Sequence, residues 1–125
     1  MDVTPLLPEG RQIIEAYGGG GFRVSGTAFD GSVLVMPELS QAWPVAEIAA
    51  LSLESLEPVL TAEAGIEVLL IGCGKAMAFI DPDLREAAKA RGVALEPMDT
   101  GAACRTYNVL VAEDRQVAAA LIAVD

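Results

Sequence analysis

Residues 67–71, Glu-Val-Leu-Leu-Ile, constrain this 125-residue chain more than any other segment. Gly65 lies before the run and Gly72-Cys73-Gly74-Lys75 follows it, so the apolar stretch has the length of a strand. A strand without polar alternation must be covered on both faces, which puts it in the middle of a sheet with parallel neighbours. Helices must then supply the cover. Hydrophobic residues make up 53% of the chain and aromatics only 5%, so Ala, Val, Leu and Ile fill that core, as in a sheet flanked by Ala-rich helices.

The flanking signals agree with an α/β arrangement. Asp81 as N-cap, Pro82 at the first helical position and Gly92 after Arg91 delimit a helix, and a short strand is expected over residues 93–98. Thr100 is expected to cap a further helix, in which Ala103, Tyr107, Leu110 and Val111 form one apolar stripe. A last buried strand is expected over residues 116–124. Residues 53–62 read as helical with Ser52 as the cap, and Pro58 predicts a short or kinked helix there. The first third reads as β structure over residues 12–17, 22–24 and 32–36. Asp30-Gly31 predicts a type I′ hairpin, and the four glycines at 18–21 predict a wide turn or bulge. No repeat, linker or low-complexity tail interrupts the chain, so one domain over residues 1–125 is expected.

Eighteen acidic against eight basic residues leave a formal charge of -10, which repels phosphate backbones and anionic membrane surfaces. Nucleic-acid binding is disfavoured. Six of the eight cations lie after Gly74, and a mixed solvated surface is favoured over a basic patch. No stretch has the ~18 consecutive apolar residues that span a bilayer, so membrane association is expected only through a partner. Met1-Asp2-Val3-Thr4-Pro5 lacks the features of a signal peptide, which predicts a cytoplasmic protein in which Cys73 and Cys104 are thiols. Without histidine or CxxC spacing, neither metal nor cofactor is expected.

Two segments invite a chemical reading. Gly72-Cys73-Gly74-Lys75 stands where backbone amides can meet an anion, but a phosphate-binding loop needs glycine at Leu69 and a hydroxyl residue at Ala76. A dinucleotide fingerprint needs glycine at Met77, although Glu96 could imitate the ribose-binding acid. A tight strand-exit turn is favoured. Cys73 beside Lys75 could be an activated thiol, yet the chain has no histidine to serve as base, so packing is favoured. The second segment, Asp99, Thr100, Cys104, Arg105, Tyr107 and Asn108, falls where a strand hands over to a helix, the usual place for a site in an open α/β sheet. A structural role is expected for most of it. Arg105 and Asn108 are the exceptions, because their i, i+3 spacing brings two polar heads together with no evident packing reason. No spacing among the carboxylates singles out a catalytic pair.

Gly72-x-Gly74 after a hydrophobic strand, Gly92-Val93, Met98-Asp99-Thr100-x-Ala102-x-Cys104-x-Thr106-x-Asn108-x-Leu110, Glu113-x-Arg115 and residues 117–122 together carry a likeness, joined by Gly21-Phe22-x-Val24 and residues 31–35. The chain resembles the small-domain family that includes mitochondrial complex I assembly factor 3 and the adipogenesis-associated Mth-type domain protein. The family usually has Gly-Thr-Gly where this chain has Gly72-Cys73-Gly74. The resemblance implies a three-layer α/β domain with a central mixed sheet, an additional β element from the N-terminal third, and a last strand antiparallel to the others. It implies no catalysis and no cofactor, but binding of protein partners such as respiratory-complex or membrane-protein assembly factors. The expectation is therefore a non-enzymatic assembly or adaptor protein for this bacterial-looking chain, with an interaction surface around Gly72, Cys73, Gly74, Lys75, Asp99, Thr100, Cys104, Arg105 and Asn108. The alternative is a nucleotide or metabolite binder, or an enzyme, using a pocket at the same strand ends.

Overall fold

The computed structural model describes residues 10–125, so the reading of Met1 to Pro5 as lacking a targeting signal lies outside the described residues. Strands β1 (Ile14–Gly18), β2 (Gly21–Val24) and β3 (Thr27–Asp30) form an antiparallel three-stranded sheet. Both of its turns are two residues long. Gly19 and Gly20 have φ of 63 and 83°, and Ser25 and Gly26 have 46 and 86°, the paired positive values that a type I′ turn demands. The glycine run is thus a tight hairpin and not a wide turn, and the bulge lies between Ile14 and Ala16. Asp30-Gly31 makes no hairpin. Only Gly31 of that pair has positive φ, and its N–H donates to the Gly20 carbonyl at 2.8 Å as the chain passes into a second sheet.

That second sheet contains β4 (Val33–Val35), β5 (Ser40–Ala42), β6 (Val68–Gly72), β7 (Ala94–Met98) and β8 (Val117–Leu121), in the order β5-β4-β8-β6-β7. The apolar run at 67–71 is its heart: β6 pairs parallel with both β7 and β8, and Leu69, Leu70 and Ile71 are buried. The sheet is mixed, but the strand that opposes its neighbours is β4. The closing strand β8 is antiparallel to β4 and parallel to β6, so the antiparallel last strand is realised on one side only. The reason lies in the connection, because a helix laid across the sheet returns the chain to the end where the previous strand began.

Helices α1 (Glu57–Leu60) and α2 (Pro82–Ala90) belong to one face of this sheet, and α3 (Thr100–Ala112) to the other. Leu69 and Ile71 point into the first face with Leu56, Val59, Ala88 and Leu95. Leu70 points into the second with Ala103, Tyr107 and Val111 of α3 and with Ile14, Phe22 and Val24 of the three-stranded sheet. Three layers result. The alanines of β8 alternate between the two faces, and their small side chains allow close approach on each side.

Asp81 caps α2 as its sequence requires, with Oδ1 accepting from Asp83 N–H at 2.9 Å. The helix expected over 53–62 is short, a 3₁₀ turn (Glu54–Leu56) running into α1 with Pro58 in the first turn. Ser52 still serves its entry, accepting from Ser55 N–H at 3.1 Å. The loop before it is tied down by Trp43, whose indole N–H donates to the Ser55 carbonyl at 2.9 Å. Strands β3 and β5 carry no apolar alternation and are sheet edges, which is why sequence pattern alone passes over them.

Candidate functional site

The exit turn of β6 and the start of α3 meet in space. Thr100 is the centre of the junction, at 0% exposure. Its hydroxyl donates to the Ile122 carbonyl at 2.7 Å and accepts from Gly74 N–H at 3.0 Å. Its own N–H donates to the Gly74 carbonyl at 2.8 Å, Cys73 N–H donates to the Met98 carbonyl at 2.9 Å, and Ile122 N–H donates to the Gly72 carbonyl at 2.9 Å. Thr100 does not cap α3. That is done by Asp99, whose Oδ1 accepts from Ala102 N–H at 2.8 Å, because the Thr100 side chain is turned inward to β8. A Cβ on Gly72 would lie 3.1 Å from the Thr100 Cα, so the close approach needs glycine there.

This geometry bears on chemistry. An anion cradle needs free amides, and the N–H groups of Cys73, Gly74, Thr100 and Ala102 are each given to a partner within the protein. The Cys73 thiol is buried and lies 3.5 Å from the Ile71 carbonyl. Lys75, proposed as its activator, is exposed and pairs with Asp125 at 3.3 Å. The two cysteines are free and lie in different core clusters, on opposite faces of the sheet.

Cys104, Arg105 and Asn108 belong to a separate place. They line a cleft of about 340 Å³ with Ile14, Glu15, Ala16 and Tyr17, between α3 and β1. Asn108 is spent on backbone: its Nδ2 donates to the Ile14 carbonyl at 2.8 Å and its Oδ1 accepts from Ile14 N–H at 2.9 Å. It therefore acts as a strand partner for β1, a packing reason that its spacing from Arg105 conceals. Arg105 reaches outward to the Tyr17 hydroxyl, to which Nη1 donates at 3.3 Å. Burial pushes the Cys104 thiol up to about 12, against a partial opposing pull from Arg105, so it is protonated at neutral pH. Burial likewise raises Tyr107, whose hydroxyl donates to the Gln12 carbonyl at 3.1 Å.

The nine expected residues are thus divided between a closed junction and an open cleft. Tyr17 and Glu15, which complete the cleft, come from a strand some 90 residues away in sequence, and no local signal marks them. Among the described residues no group of three or more potential ligands is placed to hold a metal ion. No helix among them is long and apolar enough to cross a membrane. Second-half cations are mostly engaged: Arg91 pairs with Glu57 at 3.1 Å and Arg115 with Glu113 at 3.9 Å, while Arg85 donates to the Leu95 carbonyl at 2.9 Å.

Comparison with known proteins gives three findings. A family model described as "Protein of unknown function (DUF498/DUF598)" matches residues 14–122. Proteins named NADH dehydrogenase (ubiquinone) 1 alpha subcomplex assembly factor 3 are similar, at 38% identity in Xenopus tropicalis, covering 87% of this chain, and at 37% in Danio rerio, covering 88%. The match takes in 60% and 63% of the length of those two relatives. Among solved structures, one described as an outer membrane protein from Bartonella henselae has a TM-score of 0.85 at 39% identity, covering 96% of this chain and all of that one. A Bordetella pertussis protein described as a Mth938-like domain has a TM-score of 0.83 at 29% identity, covering 98% of this chain and 92% of that one.

Proposed function

The chain belongs to the DUF498/DUF598 family, and from that premise we propose that it is a non-enzymatic assembly or adaptor protein that works by binding other proteins during the building of a respiratory NADH dehydrogenase. The observation that carries this reading is the closed junction. At the strand ends, where an α/β sheet usually presents its ligand site, the amides of Cys73, Gly74, Thr100 and Ala102 and the Thr100 hydroxyl are donated to acceptors within the protein. What remains accessible there is side-chain surface, which suits a protein partner better than a phosphate or dinucleotide. Kinship to proteins named as complex I assembly factors supplies the partner class. We place the chain in the cytoplasm, with membrane contact only through its partner.

Affinity capture of the full chain from its source cells under gentle conditions tests this. Recovery of NADH dehydrogenase subunits or their assembly factors is expected. Recovery of none would overturn the reading.

A second reading keeps the cleft between α3 and β1 as a small-molecule site, since Arg105 and Tyr17 present polar atoms into about 340 Å³. The raised Cys104 thiol speaks against a nucleophilic role within it. A thermal-shift screen decides: a metabolite at a hundred times its Kd adds roughly 2.7 kcal/mol of stability, and no shift across a broad library retires the cleft.

A further inference from the structure

Helix α3 carries a glycine that its backbone does not need. Gly101 lies within the helix without a positive φ, and glycine there weakens a helix relative to alanine. Its reason is room. A Cβ at this position would lie 2.6 Å from the Tyr17 hydroxyl oxygen and 3.3 Å from Arg105 Nη1, so the bare backbone lets these two groups, from β1 and α3, come together. The pair stands at one end of the cleft between the two elements, and the other end is closed where the Asn108 amide bonds to Ile14. Arg105 gives Nη1 to Tyr17 at 3.3 Å, but among the described residues no carboxylate pairs with its guanidinium and no acceptor takes the Tyr17 hydroxyl proton. Both groups are open to solvent, Tyr17 at 43% exposure. Two donors that converge on one place without an acceptor of the protein's own are the complement of an anion's oxygens.

Charge and walls narrow the class. Two carboxylates stand nearby, Glu15 in the cleft lining and Asp99, whose charge is felt at Cys104. Each accepts a backbone N–H, Glu15 Oε1 from Gly26 at 2.6 Å and Asp99 Oδ1 from Ala102 at 2.8 Å. One guanidinium between two acids suits a single negative charge and not a phosphate dianion. Ile14, Ala16, Cys104 and the Tyr17 ring supply apolar wall, and about 340 Å³ is at the small end of ligand pockets. We propose that this cleft binds a small organic monocarboxylate, with its oxygens on Arg105 and the Tyr17 hydroxyl and its apolar body against Ile14, Ala16 and Cys104. This ligand class rests on the reading of the cleft as a small-molecule site.

Amide-resolved NMR of the full chain, titrated through the millimolar range with acetate, isovalerate and benzoate, tests it. Saturable shifts are expected at the amides of Ala16, Tyr17 and Arg105, with affinity rising about tenfold from acetate to benzoate as the apolar body grows. Benzamide, neutral but of the same shape, is expected to bind at least about tenfold more weakly than benzoate, because it loses the charge-assisted bonds. Arg105→Gln is expected to weaken benzoate at least about tenfold and Tyr17→Phe about threefold, while circular dichroism and melting temperature show the fold intact. No saturable shift with any of the three carboxylates, benzamide equal to benzoate, inorganic phosphate equal to benzoate, or unchanged binding in Arg105→Gln would each overturn the proposal. If a neutral metabolite from the thermal-shift screen moves the same amides while the carboxylates do not, the ligand class is wrong and the small-molecule reading of the cleft stands. If nothing moves them, both fall.

Discussion

Thr100 shows how much one hydroxyl holds together. It donates to the last strand and accepts from the turn after β6, all at 0% exposure, so removing it leaves buried backbone groups unpaired. Thr100→Val is expected to cost about 1–3 kcal/mol in chemical denaturation, and Thr100→Ser clearly less. Gly72→Ala drives a methyl group against the Leu121 side chain and the Thr100 backbone, and overpacking of this kind costs about 1–3 kcal/mol. Cys104 adds a pH dependence. Its thiol titrates near 9.0 when unfolded and about 12 when folded, so the native state keeps a proton that the unfolded state gives up. Stability contributed by the neutral thiol is complete below pH 9 and falls as pH rises from there towards 12, by at most about 1.4 kcal/mol per pH unit. Cys104→Ala is expected to flatten that part of the alkaline slope. From sequence, Asp99 and Thr100 are equally good helix caps, and only the burial of one of them separates their roles. The partnership of Asn108 with Ile14 spans 94 residues and leaves no local trace.

At the scale of elements, α3 and β1 are joined by that asparagine. Asn108→Ala is expected to lower the hydrogen-exchange protection of the Ile14 amide about tenfold while Leu70 in β6 stays protected, because the loss is confined to one edge of the three-stranded sheet. Equal loss in both strands would show instead that the asparagine supports the whole fold. The elements legible in advance are those whose signals are local. Asp81-Pro82 opens α2, Gly92 closes it, and the uninterrupted apolar run of β6 can be satisfied only at the centre of a sheet. Strands β3 and β5 were hidden because they are short, polar edges. Asp30-Gly31 has the composition of a hairpin but lies between two sheets, whereas Ser25-Gly26 makes the turn with a serine at φ 46° that composition does not advertise.

At the scale of the whole molecule, two facts shape function. The amides of Cys73, Gly74, Thr100 and Ala102 at the strand ends are donated to acceptors within the protein, and the loop that follows exposes Met77 and Phe79 between the buried Cys73 and Ile80. Meeting of the Gly72 turn with the start of α3 follows from the sequence, because β6 and β7 are adjacent parallel strands and their exits share one side of the sheet. That this meeting closes the site is not legible there, since it depends on Ile122 arriving from the far end of the chain. The exposure of Phe79 is equally hidden, because a Phe beside an Ile in an apolar stretch reads as core until the turn that separates them is known. We propose that the chain assists assembly through its surface and performs no thiol or cofactor chemistry. The most direct test is the amount of assembled NADH dehydrogenase, resolved on native gels, in source cells that lack the chain. A several-fold fall is predicted, restored by the wild-type chain and equally by a Cys73→Ala, Cys104→Ala double variant. Normal assembly without the chain, or rescue that depends on either thiol, would contradict it.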